Sequence, residues 1–180
     1  NKFKENHLIL VSTILMAAEA GVDIVDTAFN SMSGLTSQPA LNSVVAALKN
    51  TDRDTGMRTK NIQQLSDYWR DVRPVYDKFE SDLKSSSAEI YEYEIPGGQY
   101  SNLKPQVESF GLEHRFDEVK NMYKSVNEMF GDIIKVTPSS KAVSDMAIFM
   151  VQNDLTPENI FEKGSGLPYP DSVVAFFSGM

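Results

Sequence analysis

The chain has 180 residues, 41% of them apolar and 23% charged, with a net charge of −8 and no cysteine. That balance fits a soluble globular chain long enough for one compact core or two small ones. It excludes disulfide scaffolds, cysteine nucleophiles and cysteine-based zinc sites, and it argues against a nucleic-acid surface, which needs a basic face. The two histidines, His7 and His114, are too far apart in sequence to form a helical ligand pair, so no metal ligands are assigned here. The absence of cysteine is compatible with a cytoplasmic location.

At the front, Lys2 and Lys4 precede the apolar run LILVSTILMAA, which imitates a secretory signal. Glu5 breaks the basic cluster, and the run is too short to cross a membrane. A buried helix, VSTILMAAEAG, stopped by Gly21, is expected instead. VDIVDTA, Val22 to Ala28, reads as a buried strand, so helix, glycine and strand make the αβ half of a βαβ unit. The polar loop FNSMSGLTSQ, with Ser31, Ser33, Gly34, Thr36 and Ser37, follows the carboxyl end of that strand. α/β folds put their ligands there, although a solvated turn explains the same residues. Pro39 then opens a helix with Leu41, Val44, Val45 and Leu48 on one face.

After TDRDTGMR, apolar residues recur at threes and fours: Ile62, Leu65, Tyr68, Trp69, Val72, Tyr76, Phe79 and Leu83. The stripe is expected in the core, and it crosses Pro74 in phase, which predicts a kink or a broken helix pair. SSSAEIYEYEIPGG reads as a flexible stretch closed by a Pro-Gly-Gly turn, with the YEYE run on an exposed face. Pro105 should interrupt any helix after PGGQYSNL. Phe116 to Phe130 give another apolar face, ended by Gly131. IIKV should be extended, because Pro138 disfavours helix at Thr137. A buried helix follows from Pro138 to about Asn153. Thr156-Pro157-Glu158 opens a short helix, and Asp171 caps a last one. The fold expected is mainly α, with strand only near the front.

GDIIKVTPSSK, Gly131 to Lys141, carries the densest chemistry. Threonine is a preferred N-cap and proline suits the first helical position, so Thr137 is expected to cap the helix. The same geometry offers free amides and small hydroxyls to a developing negative charge. Local rules leave both readings open.

Four blocks in order carry a resemblance: AGVDIVDTAFNSMSGLTSQP, EIYEYEIPGGQYSNL, RFDEVKNMYKSVNEMFGDIIKVTPSSK, and FMVQNDL with PDSVVAFFSG. Through them the chain resembles the carboxyltransferase domain of biotin-dependent pyruvate carboxylases, from about Val11 to Met180. The resemblance implies the last αβ unit of a (β/α)8 barrel in residues 1–38, followed by a helical funnel domain in residues 39–180. It implies transfer of carboxyl from carboxybiotin to pyruvate, giving oxaloacetate, with biotin carried on another domain or subunit. Carried over, Thr137 relays a proton and Ser140 holds biotin. The rest of the barrel and the biotin carrier domain become partners.

The chain departs from that family where a divalent metal is bound. NKFKENHLIL stands where a His-x-His strand belongs, and His7 alone does not restore it, so activity in isolation is not expected. A barrel remnant would leave Val22, Ile24 and Val25 uncovered, which predicts a homo-oligomer or local disorder in residues 1–30. Two other readings remain: a biotin-dependent oxaloacetate decarboxylase or transcarboxylase subunit, and a non-catalytic helical module for docking or oligomerisation.

Overall fold

Helix α1 (Val11–Glu19) stops where the sequence places a glycine, and Gly21 takes φ +93°, backbone that costs glycine nothing. The computed structural model describes residues 11–80, 83–85 and 88–179, so expectations for residues 1–10 lie outside the described residues. The chain divides into two units, Asn1–Ile90 with Pro96–Ser101, and Tyr91–Ile95 with Asn102–Met180. Among the described residues no helix is long and apolar enough to cross a membrane.

In the first unit, α1 packs on α2 (Leu41–Leu48), and α2 on α3 (Thr59–Val72). Their shared core holds Ala17, Ala18, Val44, Val45 and Ile62. α1 is only partly buried, since Met16 faces solvent. The strand expected at Val22 to Ala28 does not form. Residues 22–27 lack any ladder partner among the described residues, and one parallel bridge joins Ala28 to Ala40. A strand exists only through the neighbour that satisfies its amides and carbonyls. Here the Arg53 guanidinium donates to the Val22 carbonyl, and Ile24 is left 86% exposed.

The stripe after residue 60 also departs from expectation. Ile62 is buried, but Leu65, Tyr68, Tyr76 and Phe79 are exposed. The face of α3 that meets its neighbours carries Ser66 instead, which is buried and bonded to Ser31. At Pro74 the chain behaves as the sequence implied: α3 ends at Val72 and continues as a 3-10 helix, Arg73–Phe79.

The boundary between the units cuts through α4 (Glu89–Tyr93) and α5 (Gly97–Ser109). Pro-Gly-Gly is therefore no closing turn but the opening of α5. The helix also runs on through Pro105, giving up one internal hydrogen bond there. Gly97 is required by contact: a Cβ on it would lie 2.8 Å from the Thr36 carbonyl oxygen. A Cβ added at Gly98 would meet nothing within 4 Å.

In the second unit, α6 (Phe116–Met129) packs along α7 (Ser139–Gln152), and α7 against α9 (Asp171–Ser178). Val119, Tyr123, Val126, Val143, Ala147 and Met150 are fully buried, as the apolar periodicity of both helices predicts. The rings of Phe130 and Phe177 meet edge to face at 4.8 Å. The short helix α8 (Ile160–Lys163) starts later than Thr156, because Thr156–Asn159 is spent on a turn in which Asn159 Oδ1 accepts from the Thr156 amide at 2.8 Å. Asp171 is the first helical residue, with Pro170 in the cap position.

Gly97→Ala should destabilise the fold by about 1–3 kcal/mol, the usual cost of an overpacked contact. Gly98→Ala should be neutral or stabilise by up to about 1 kcal/mol through helix propensity. Denaturant unfolding of the two variants reads the difference directly.

Candidate functional site

Residues 133–136 take no regular secondary structure, the Val136 amide turning back to the Ile134 carbonyl at 3.0 Å rather than running extended as expected. They lead into α7 through a cis Thr137–Pro138 bond. The cap is not built as the sequence suggests. Pro138 occupies the N-cap position with no side-chain cap, α7 begins at Ser139, and Thr137 is exposed. Ser139 instead fastens the helix start to the loop before it. Its buried hydroxyl accepts from the Val136 amide at 3.1 Å and lies within bonding reach of the Ile134 and Val136 carbonyls.

The next three amides of the helix start are not free either. Ser140 donates to Val136 at 3.4 Å, and Lys141 and Ala142 donate to Pro138 at 3.1 and 3.3 Å. The start of α7 therefore presents hydroxyls rather than an open amide nest. Ser140 is 9% exposed in the first turn of α7. Lys141 pairs with Asp145, which also accepts from Ser172 on α9.

Upstream of Thr137 lies a polar cluster. Lys135 Nζ donates to Glu94 Oε2 at 2.9 Å, and its side chain is 8% exposed. Fully buried Asn127 donates through Nδ2 to Asp132 Oδ1 at 2.8 Å and to Glu94 Oε2 at 3.3 Å. Glu94 therefore leaves the exposed acidic face expected of YEYE. Nearby, Lys120 lies over the Tyr93 ring at 4.6 Å and pairs with Asp117 at 2.9 Å.

The SMSGLTSQ loop of the first unit is anchored rather than merely solvated. The Ser31 amide donates to Ser66 Oγ at 3.1 Å, and Ser31 Oγ donates to the Ser66 carbonyl at 2.7 Å. Arg73 donates through Nη1 to the Ser31 carbonyl at 2.7 Å and grips Glu80 with two bonds of 2.5 and 2.6 Å. Ser101 Oγ donates to Thr36 Oγ1 at 2.9 Å. Thr36, Arg73, Phe79, Glu80 and Ser101, with the neighbouring loop residues, line a cavity of about 210 Å³. The Arg73 guanidinium holds the Glu80 carboxyl below its ordinary range, and Glu80 in turn raises Arg73.

Sequence reasoning flagged Thr137, Ser140 and the serine-rich loop but missed Ser66, Arg73, Glu94 and Ser139. Ser66, a polar residue one turn from Ile62 on an amphipathic helix, was the readable signal.

Residues 90–180 match the family described as the conserved carboxylase domain. The chain belongs to that family. It is similar to the pyruvate carboxylase of Bacillus subtilis (strain 168), 55% identical over 163 residues, which is 91% of this chain and 14% of that protein. With pyruvate carboxylase 1 of Caenorhabditis elegans it is 50% identical over 94% of this chain and 15% of that protein. Among solved structures it is similar to the carboxyl transferase domain from Rhizobium etli pyruvate carboxylase with pyruvate and biocytin. The TM-score there is 0.88 at 49% identity, over 92% of this chain and 28% of that one. The chain thus spans about one seventh of the curated relatives it matches. Among the described residues, no three His, Cys, Asp or Glu side chains come together as a metal would need.

Ser139→Ala should cost about 1–2 kcal/mol, since it removes a buried hydroxyl bonded to the Ile134 and Val136 backbone, whereas Thr137→Ala should stay within about 0.5 kcal/mol. Thermal unfolding distinguishes them. Glu80 has a depressed folded value, so its pair with Arg73 stabilises the fold above the ordinary value of 4.5 and stops doing so as pH falls through the lowered one. The stability gap between wild type and Glu80→Gln should therefore be constant well above that value and shrink below it, as denaturant titrations across acid pH would show.

Proposed function

We propose that this chain is the C-terminal part of the carboxyltransferase domain of a pyruvate carboxylase, acting with biotin carried on another domain or subunit. In the complete enzyme it helps move a carboxyl group to pyruvate, giving oxaloacetate. The observation that carries this reading is the likeness to a carboxyl transferase domain, at 49% identity over 92% of the chain, that was solved with pyruvate and biocytin. Residues 1–38 are read as the end of a (β/α)8 barrel and residues 39–180 as the helical funnel over its mouth. The segment 22–27, without a ladder partner among the described residues and with Ile24 in solvent, suits a barrel edge completed by other parts of the protein. We place the enzyme in the cytoplasm, as a homo-oligomer.

The residues at the start of α7 suit the roles the family gives them. Thr137 is exposed and caps no helix amide, so its hydroxyl is available to a second molecule. A hydroxyl both accepts and donates. Thr137 Oγ1 can take the proton leaving the pyruvate methyl while releasing the one it carried, with no net charge gained. Transfer through so weak an acid requires both partners to be held close. Ser140, nearly covered and fixed by the rigid first turn of α7, is the proposed biotin contact. When bound, biotin supplies the carboxyl group. The divalent metal of the complete domain draws no ligand set from the described residues, and no step is assigned to it here.

In the full-length polypeptide, Thr137→Ala should lower oxaloacetate formation about a hundredfold or more with little change in melting temperature, and Thr137→Ser should retain part of the rate. Steady-state assays of the two variants test this. Carboxylation by Thr137→Ala within a few fold of wild type would remove the relay role. The chain on its own should form no oxaloacetate.

A further inference from the structure

Little apolar burial holds the loop that carries Thr137. Its two most hydrophobic side chains near the threonine, Ile134 and Val136, are 77% and 64% exposed, so burial does not set the loop's position. Polar contacts do. Asp132 is tied to Asn127, Lys135 to Glu94, and Val136 to Ser139. Thr137 stands two residues beyond Lys135 and two before Ser139, between the last two ties.

Glu94 is the centre of this arrangement. It accepts from both Lys135 Nζ and Asn127 Nδ2 on the same oxygen. Asn127, fully buried on α6, shares its amide group between Glu94 and Asp132. The backbone is bent to allow it: Glu94 has φ +59° and Asp132 has φ +54°, a region that residues other than glycine rarely occupy. A lysine as covered as Lys135 would be costly without a carboxylate beside it. Removing the Glu94 charge therefore frees Lys135 to turn outward to water, and the loop moves with it.

We infer that Glu94 is a positioning residue for carboxyl transfer, setting through Lys135 and Asn127 the place that the Thr137 hydroxyl occupies. This rests on the role proposed for Thr137. Glu94 touches no reacting atom. Its effect is geometric, and a displacement of about 1 Å at a reacting group costs on the order of a hundredfold in rate.

The test is a double-mutant cycle in the full-length carboxylase, with Glu94→Gln, Thr137→Ala and their combination, read as kcat and KM for pyruvate. Glu94→Gln should lower kcat about ten- to a hundredfold with KM unchanged, the pattern of an interaction lost only in the transition state. Added to Thr137→Ala it should cause no further loss, because the group it positions is gone. If Glu94→Gln does not fold, Lys135→Gln breaks the same ion pair from the loop side and takes its place in the cycle. Wild-type kcat in a folded single variant overturns the inference, as do losses that multiply in the double variant. A Thr137→Ala enzyme of normal rate strikes instead at the function proposed for Thr137, which separates the two failures.

Discussion

Lys135 has almost no contact with water, and the chain around it is arranged so that a carboxylate stands beside its ammonium group. An uncompensated charge in such a place is among the most expensive things a fold can contain. Much of the second unit near α7 follows from meeting that demand. The backbone after α4 turns through a left-handed residue to bring Glu94 inward, and α6 contributes a buried asparagine to complete the partnership. With the lysine fixed, its exposed neighbours Ile134 and Val136 acquire a definite path into α7.

The sequence was most legible where one side of a helix supplies its own evidence. α2, α6 and α7 were readable from apolar spacing alone, because each buries its stripe against neighbouring helices. The segment from Val22 to Ala28 was not. Its composition is that of a strand, but a strand is a relation between two segments, and no partner stands beside it among the described residues. The stripe from Leu65 to Phe79 misled in the opposite way: its period is helical and its helix exists, yet the side that packs carries Ser66. The Pro-Gly-Gly stretch was read as a turn from composition, whereas contact with the Thr36 carbonyl determines why glycine stands there.

At the site the difference is one of division of labour. Thr137 and Ser140 were visible as hydroxyls near a helix start, but local rules assign the capping to the threonine. In the structure Ser139 closes the turn, and the amides of Ser140, Lys141 and Ala142 are satisfied by Val136 and Pro138. No pattern within five residues announces this, since it depends on where Ile134 and Val136 place their carbonyls. The participation of Glu94 was hidden for a related reason: its partner Lys135 lies 41 residues away. Family membership and bottom-up reading thus contribute different things. The one relates the motif to carboxyl transfer, and the other shows which side chains hold it in shape.

The anchoring of the SMSGLTSQ loop bears on the order in which the molecule assembles. Its ties to Ser66, Arg73 and Ser101 span 35, 42 and 65 residues of chain. Closing such spans is entropically unfavourable until the helices between them already exist. Helices α2 and α3 need only local contacts to begin, whereas the serine-rich loop must wait for its distant partners. It is therefore among the last segments of its unit to set during folding and, by the same energetics, among the first to loosen when the native state fluctuates.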